Sequence, residues 1–182
     1  MVKRAYPPGV QGRRASGKKH RRAGSEYGQQ LVQKQFIKRM YGVMERQLRK
    51  YFNESLFQKG DTRENLIRRL EMRLDNVIFR LGLAKSRASA RQMASHGLVL
   101  VNGKRVTIPS YQVKAGEVIT LKEKTKKSKL TENLAVVLKK YESPSWLFLD
   151  KEKIEGKVLS PPGLDDLGDL APLSLIIQFY SR

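Results

Sequence analysis

The sequence predicts an α+β fold, with helices first and a small antiparallel sheet after them. Two observations carry this. Apolar residues recur at helical spacing from Ser25 to about His96. An Asn-Gly pair at Asn102-Gly103 then sits between two short apolar runs, the strongest local hairpin signal. A third observation concerns partners. The 182 residues carry 37 Lys and Arg against 17 Asp and Glu, a formal charge of +20. A folded chain with that excess repels itself unless a polyanion neutralises it. Nucleic acid is the leading candidate and an anionic membrane surface the second.

The chain opens on a basic arm. Residues 1–24 hold eight Lys or Arg, no acid, four Gly and two Pro. Such a segment cannot bury a core and is expected to stay extended without a partner. Its charges, Arg13, Arg14, Lys18, Lys19, Arg21 and Arg22, are candidate nucleic-acid contacts. It has no apolar stretch of the secretory kind, and its Pro-Pro-Gly works against the amphipathic helix of a transit peptide. Nowhere do 18 apolar residues run together, so no membrane span is expected.

From Ser25, Leu31, Val32, Phe36 and Met40 fall at helical spacing, with Lys34, Lys38 and Arg39 on other faces as further candidate RNA contacts. Val43, Met44, Leu48, Tyr51 and Phe52 continue the period after Gly42. This is two helices, or one bent at Tyr41-Gly42. After Lys59-Gly60, Asp61 caps a third helix, with Glu64 completing a capping box. Its apolar face runs through Leu66, Ile67, Leu70, Leu74, Val77, Ile78 and Leu81 to a left-handed stop at Gly82. Ser86 caps a shorter helix that ends at Gly97.

LVLV is then a strand, Asn102-Gly103 a type I′ turn, and KRVTI the returning strand, limited by Pro109. EVITLKE after Ala115-Gly116 is a third strand. A lysine-rich connector, KEKTKKSK, leads to a helical LTENLAVVLKKY. WLFLD, GKVL and SLIIQFY each read as strands, and Trp146 is expected in the core. Asp165, Asp166 and Asp169 lie in a Pro/Gly-flanked acidic loop, facing solvent or a basic protein neighbour.

The residue inventory excludes much chemistry. With no cysteine there is no disulfide, no thiol catalysis and no ordinary zinc cluster. The only histidines are His20 and His96. What remains is a pattern of cations between Arg73 and Lys124. Lys85, Arg87 and Arg91 lie on the Ser86 helix, Arg87 and Arg91 on one face. That helix start also offers free backbone N–H groups. Lys104 and Arg105 leave the hairpin turn together, and Ser110, Tyr111 and Lys114 follow. Consecutive strand residues point to opposite faces, so which of Lys104 and Arg105 reaches a phosphate stays open. His96 reads better as a helix cap than as an RNA contact, and Tyr111 is either core or a stacking platform.

RLDNVIFRLGLAKSRASARQMASHGLVLVNGKRVTIPSYQVKAGEVI is similar to the RNA-binding module of small-subunit ribosomal protein S-four, of bacterial type. SEYGQQLVQKQFIKRMYGVMERQLRKYF resembles the N-terminal helices of that family, and FYSR its C-terminus. The resemblance covers the chain from about Pro7 onward. It implies a mostly helical domain built from residues 25–72 and about 153–182, with the RNA-binding module and the following helix and strand inserted at 73–152. It implies a ribosomal role: binding the 5′ domain of small-subunit ribosomal RNA at a helix junction, nucleating assembly, and lying near the messenger entry path beside ribosomal protein S-five. The cytoplasmic ribosome is expected over an organellar one. The family's RNA contacts carry over to Arg87, Arg91, Asn102, Gly103, Lys104 and Arg105.

Two departures stand out. Many family members begin with a further segment that often carries a zinc-binding cysteine cluster; this chain starts near its PPG motif without cysteine, so no zinc or other cofactor is expected. RRASGKKHRRAG, between Gly12 and Ser25, is longer and more basic than the family leads one to expect, and its position implies contact with ribosomal RNA or incoming messenger. The rival class is an RNA-modifying enzyme that docks through the same module. It would need a further catalytic domain, for which the helices and arm leave no obvious place, so the chain is read as no enzyme.

Overall fold

The computed structural model describes residues 25–126, 131, 134–163 and 173–181. The basic arm, with all six of its candidate cations, lies outside the described residues, as does the acidic loop of Asp165, Asp166 and Asp169.

Helix α1 (Glu26–Met40) starts where Ser25 accepts the Gly28 N–H at 3.1 Å. It ends at Tyr41, and Gly42 at φ 61° turns the chain into the separate helix α2 (Glu45–Leu56). The third helix departs from expectation in two ways. Asp61 caps it, accepting the Arg63 N–H at 2.8 Å, but Glu64 pairs with Arg68 at 2.8 Å. The single helix expected to run to Leu81 is divided into α3 (Thr62–Glu71) and α4 (Leu74–Arg80). Arg73, between them, is extended and bridges Gln112 in strand fashion. Met72 accepts the N–H of Val113, while Leu74 and Asp75 donate to Tyr111 and Pro109. A distant segment thus takes over the hydrogen bonds a continuous helix would have made, and hydropathy period cannot register that.

Helix α5 (Arg87–Ser95) is capped by Ser86 and ends at His96-Gly97. The sheet has the order β2-β1-β3-β5-β4, all neighbours antiparallel. Its strands are β1 (Val99–Val101), β2 (Lys104–Arg105), β3 (Val118–Leu121), β4 (Leu147–Asp150) and β5 (Glu155–Val158). KRVTI is therefore a strand for two residues only, and Glu123–Lys126 forms a short helix, α6, within the segment read as a lysine-rich connector. Helix α7 (Leu134–Lys139) lies inside the segment read as helical. Asn102 and Gly103 have φ 48° and 75°, the two positive values a type I′ turn needs.

The last element corrects another expectation. SLIIQFY lies in a helix, α8 (Leu173–Tyr180), not in a strand. A short apolar run does not distinguish the two; here Leu173 and Ile176 are buried and Ile177 and Tyr180 pack beside them at helical spacing.

Two cores result. Ile37, Tyr41, Leu48, Phe52, Leu66 and Leu70 join α8 in a helical unit. The other core, with Leu74, Ile78, Leu81, Val99, Ile119, Trp146 and Val158, lies under the sheet. Residues 153–182, expected to complete the helical unit, are split between the two. β5 lies between β3 and β4, and among the described residues of this segment α8 is the element that packs on the helices. Gly156 of β5 packs so tightly on α4 that a Cβ there would lie 2.3 Å from Leu81 Cδ1.

Candidate nucleic-acid interface

The first turns of α2 and the neighbouring edge of the sheet unit face each other across a cleft of about 510 Å³. Val43, Met44, Arg46, Gln47 and Lys50 line one side; Arg73, Arg91 and Ser110 line the other. No acid is in that lining. Arg46, Lys50 and Arg91 are exposed, so three cations border an acid-free groove. Arg73 is buried in its wall, held by Asp75 in two hydrogen bonds of 3.0 and 2.7 Å and donating a third to Tyr51 Oη at 2.9 Å. Burial opposes that guanidinium's charge, but the bonds to Asp75 outweigh it and raise its pKa.

Arg46 and Lys50 were not among the residues singled out in the sequence. Their signal was present: Arg46, Arg49 and Lys50 fall at i, i+3 and i+4, a cationic face on the helix that carries Leu48 and Phe52 inward.

Arg87 and Arg91 have different surroundings. Arg91 Nη1 donates to the Gly42 carbonyl at 3.0 Å and lies 3.6 Å from Asp75, leaving nearly half its side chain exposed to the cleft. Arg87 is half-buried. Its Nε donates to Asn76 Oδ1 at 2.8 Å, and its guanidinium carbon lies 4.9 Å from the Tyr41 ring centroid and 4.6 Å from that of Phe79. Burial pulls its pKa below the ordinary guanidinium value. Behind it, the fully buried Glu71 accepts hydrogen bonds from Tyr41 at 2.5 Å, Asn76 at 2.6 Å and Arg80 at 2.8 Å. Burial and Glu71 push the Tyr41 phenol well above its usual pKa, so it stays a donor. Tyr41 belongs to the helical core and Phe79 packs against the other, so this network spans the two units.

The hairpin lies at the far end of α5. Arg105 turns back over that helix's C-terminus, with Nη2 3.4 Å from the His96 carbonyl oxygen. A Cβ on Gly97 would lie 2.2 Å from Arg105 Nε, so glycine serves both the φ of 62° and this close approach. Lys104, its neighbour in the two-residue strand, is exposed. Asn102 uses its side chain internally, accepting the Val118 N–H at 2.8 Å. His96 is the C-cap of α5 and is exposed, and Lys85 and Ser86 are exposed at its N-terminal end. Lys114 is exposed beside the loop. Tyr111 packs against the core and donates to Glu117 at 2.8 Å, which suits a structural ring better than an open platform. That hydrogen bond raises its pKa.

On α1 the candidate cations divide. Lys34 is only 6% exposed, paired with Glu45 at 2.7 Å and seated 4.3 Å from the Phe179 ring centroid. Lys38 reaches the other oxygen of Glu45 at 3.4 Å, and Arg39 is exposed. Among the described residues, no group of three or more His, Cys, Asp or Glu is placed to hold a metal, and no helix is long and apolar enough to cross a membrane.

Two family models match the first 119 residues of the chain. Residues 1–71 match the family model described as the ribosomal protein S4/S9 N-terminal domain, and residues 72–119 match the S4 domain. The boundary between them falls at the break between α3 and α4. The small ribosomal subunit protein uS4 of Halothermothrix orenii is 45% identical over 180 residues, covering 99% of this chain and 84% of that relative. The uS4A protein of Alkaliphilus oremlandii is 48% identical over all 182 residues, 84% of its own length. The uS4 protein of Chromobacterium violaceum is 48% identical over 159 residues, 87% of this chain and 77% of the relative. The names these relatives carry are those of ribosomal proteins, not enzymes, and at this identity and coverage the chain belongs to the uS4 family of small ribosomal subunit proteins.

Proposed function

We propose that the chain binds small-subunit ribosomal RNA along one face, from the α2 cleft past α5 to the hairpin, and so organises a helix junction of the 5′ domain early in subunit assembly. The observation that carries this is the acid-free cleft bordered by Arg46, Lys50 and Arg91. Helices meeting at a junction concentrate phosphates, and a rigid cationic groove between two folded units suits that shape. Lys85, Ser86, Lys104, Arg105 and Lys114 extend the face, with Arg39 as a further cation on α1. The same reading places the chain in the cytoplasmic ribosome near the messenger entry path, with ribosomal protein S-five as a neighbour and the basic arm on ribosomal RNA or messenger.

The test is binding of the full chain to a small-subunit ribosomal RNA transcript over a series of KCl concentrations. Neutralised phosphates release cations, so affinity should fall linearly on a log–log scale. Arg46→Ala and Lys50→Ala should each lower the slope by about one unit without changing the preferred site. Unchanged affinity and slope in both variants would place the RNA elsewhere. For the arm, replacing Arg21 and Arg22 with Ala should weaken messenger unwinding or initiation in reconstituted subunits. Full activity would argue against messenger contact.

A further inference from the structure

We propose that Arg87 is a positioning residue of the RNA-binding face and not one of its phosphate ligands. It fixes the angle between the helical unit and the sheet unit, and with it the width of the cleft. This rests on the reading of that cleft as an RNA site.

Each of Arg87's contacts reaches a group that belongs to the seam. The guanidinium sits against Tyr41, which packs in the helical core, and against Phe79 on α4. Its Nε is committed to Asn76, whose amide is in turn held by Glu71. Glu71 also holds Tyr41, so ring, carboxylate, amide and guanidinium close a loop across the two units. A planar, always-charged fork that stacks and hydrogen-bonds at once is what Arg supplies and Lys does not. Arg91, one turn on, ties α5 to the Gly42 carbonyl and still opens into the cleft. The two arginines that share a helix face therefore have separate tasks. Arg87 holds the walls apart at a set distance, and Arg91 is available on one of them. Preorganised walls raise affinity by sparing the cost of ordering them during binding.

Affinity and its salt dependence separate these roles. A phosphate ligand contributes about one unit to the salt slope. A positioning residue changes affinity and leaves the slope alone. The full-length chain is titrated with a small-subunit ribosomal RNA transcript across KCl concentrations, as wild type, Arg87→Ala, Arg87→Lys and, for comparison, Lys104→Ala. Arg87→Ala is expected to bind about tenfold more weakly with the wild-type slope. Arg87→Lys, which keeps the charge and protects against simple misfolding, is expected to weaken binding in the same way.

The second readout is the distance between spin labels at Asn53→Cys on α2 and Thr107→Cys beyond the hairpin, both exposed positions in a chain without cysteine. The distribution should broaden in both Arg87 variants and stay narrow in Lys104→Ala. An Arg87→Ala chain that loses about one unit of slope while its distance distribution stays narrow overturns the proposal. So does an Arg87→Lys chain that binds as the wild type does. A wild type that binds the transcript without salt dependence overturns the functional reading itself, and the positioning role with it.

Discussion

Lys34 of α1 and Tyr180 of α8 donate to the same oxygen of Glu45, each at 2.7 Å. One carboxylate at the start of α2 therefore ties the first helix to the last. Tyr180 adds a ring 5.0 Å from Phe52, and Phe179 lies over the Lys34 ammonium.

Tyr180→Phe should cost about 1 kcal/mol, the net worth of one hydrogen bond, and lower the melting temperature by about 2–4 °C. Glu45→Ala should cost more, because it leaves the buried Lys34 without a carboxylate. The effect carries a pH signature. Burial alone would raise the Glu45 carboxyl, but the bonds from Lys34, Tyr180 and Lys38 outweigh it and lower it from 4.5. A depressed carboxyl stabilises the fold above its unfolded pKa and ceases to do so as pH falls through the folded one. The stability gap between wild type and Glu45→Gln should thus be constant near neutral pH and narrow below about 4. Urea melts at a series of pH values measure it, and a gap that widens in acid would contradict the assignment.

Asp75→Ala should be among the most damaging single changes, at about 3–5 kcal/mol, since it strands the buried Arg73 guanidinium. Pairing it with Arg73→Leu should recover part of that loss, because the stranded charge goes with its partner. Chemical denaturation of the two single variants and the double variant gives the coupling. Additive losses would mean the pair is not a unit.

Gly156→Ala tests packing. Its φ is ordinary, but the new methyl would meet the Leu81 side chain, itself fully buried. A loss of about 1–3 kcal/mol is expected from overpacking. Leu81→Ala alone should also destabilise, yet combined with Gly156→Ala it should cost less than the sum.

Asn102→Ala removes the bond to the Val118 N–H and places alanine at φ 48°. A loss of about 1–2 kcal/mol follows from strain and the missing acceptor. RNA affinity should fall with an unchanged salt slope, since no cation is lost. A reduced slope would show that the disturbed turn takes Lys104 or Arg105 off a phosphate.

What the sequence made legible was local chemistry. Asp61 and Ser86 cap helices because a short oxygen beside a helical run has little else to do. Asn102-Gly103 and Gly97 were readable for the same reason: positive φ leaves few residue choices. Contacts made across sequence distance were not. The break at Arg73 depends on the 109–113 segment, and helical period is blind to it. Arg87 and Lys34 counted as available cations until the structure supplied Tyr41, Phe79 and Glu45 around them. Charge counts could foretell a cationic face, but not which charges the fold consumes. Arg46 and Lys50 line the cleft from a helix whose apolar pattern gives its buried face but not what its charged face meets.

The packing of α8 on α1 has a consequence for the order of synthesis. A chain made from its N-terminus releases α1 first and α8 last. The sheet unit has its final strand once Val158 has emerged. The helical unit, though earlier in the chain, must wait with α1 lacking its α8 cover until Leu173 and Ile176 arrive. The domain that begins first is the one that finishes last.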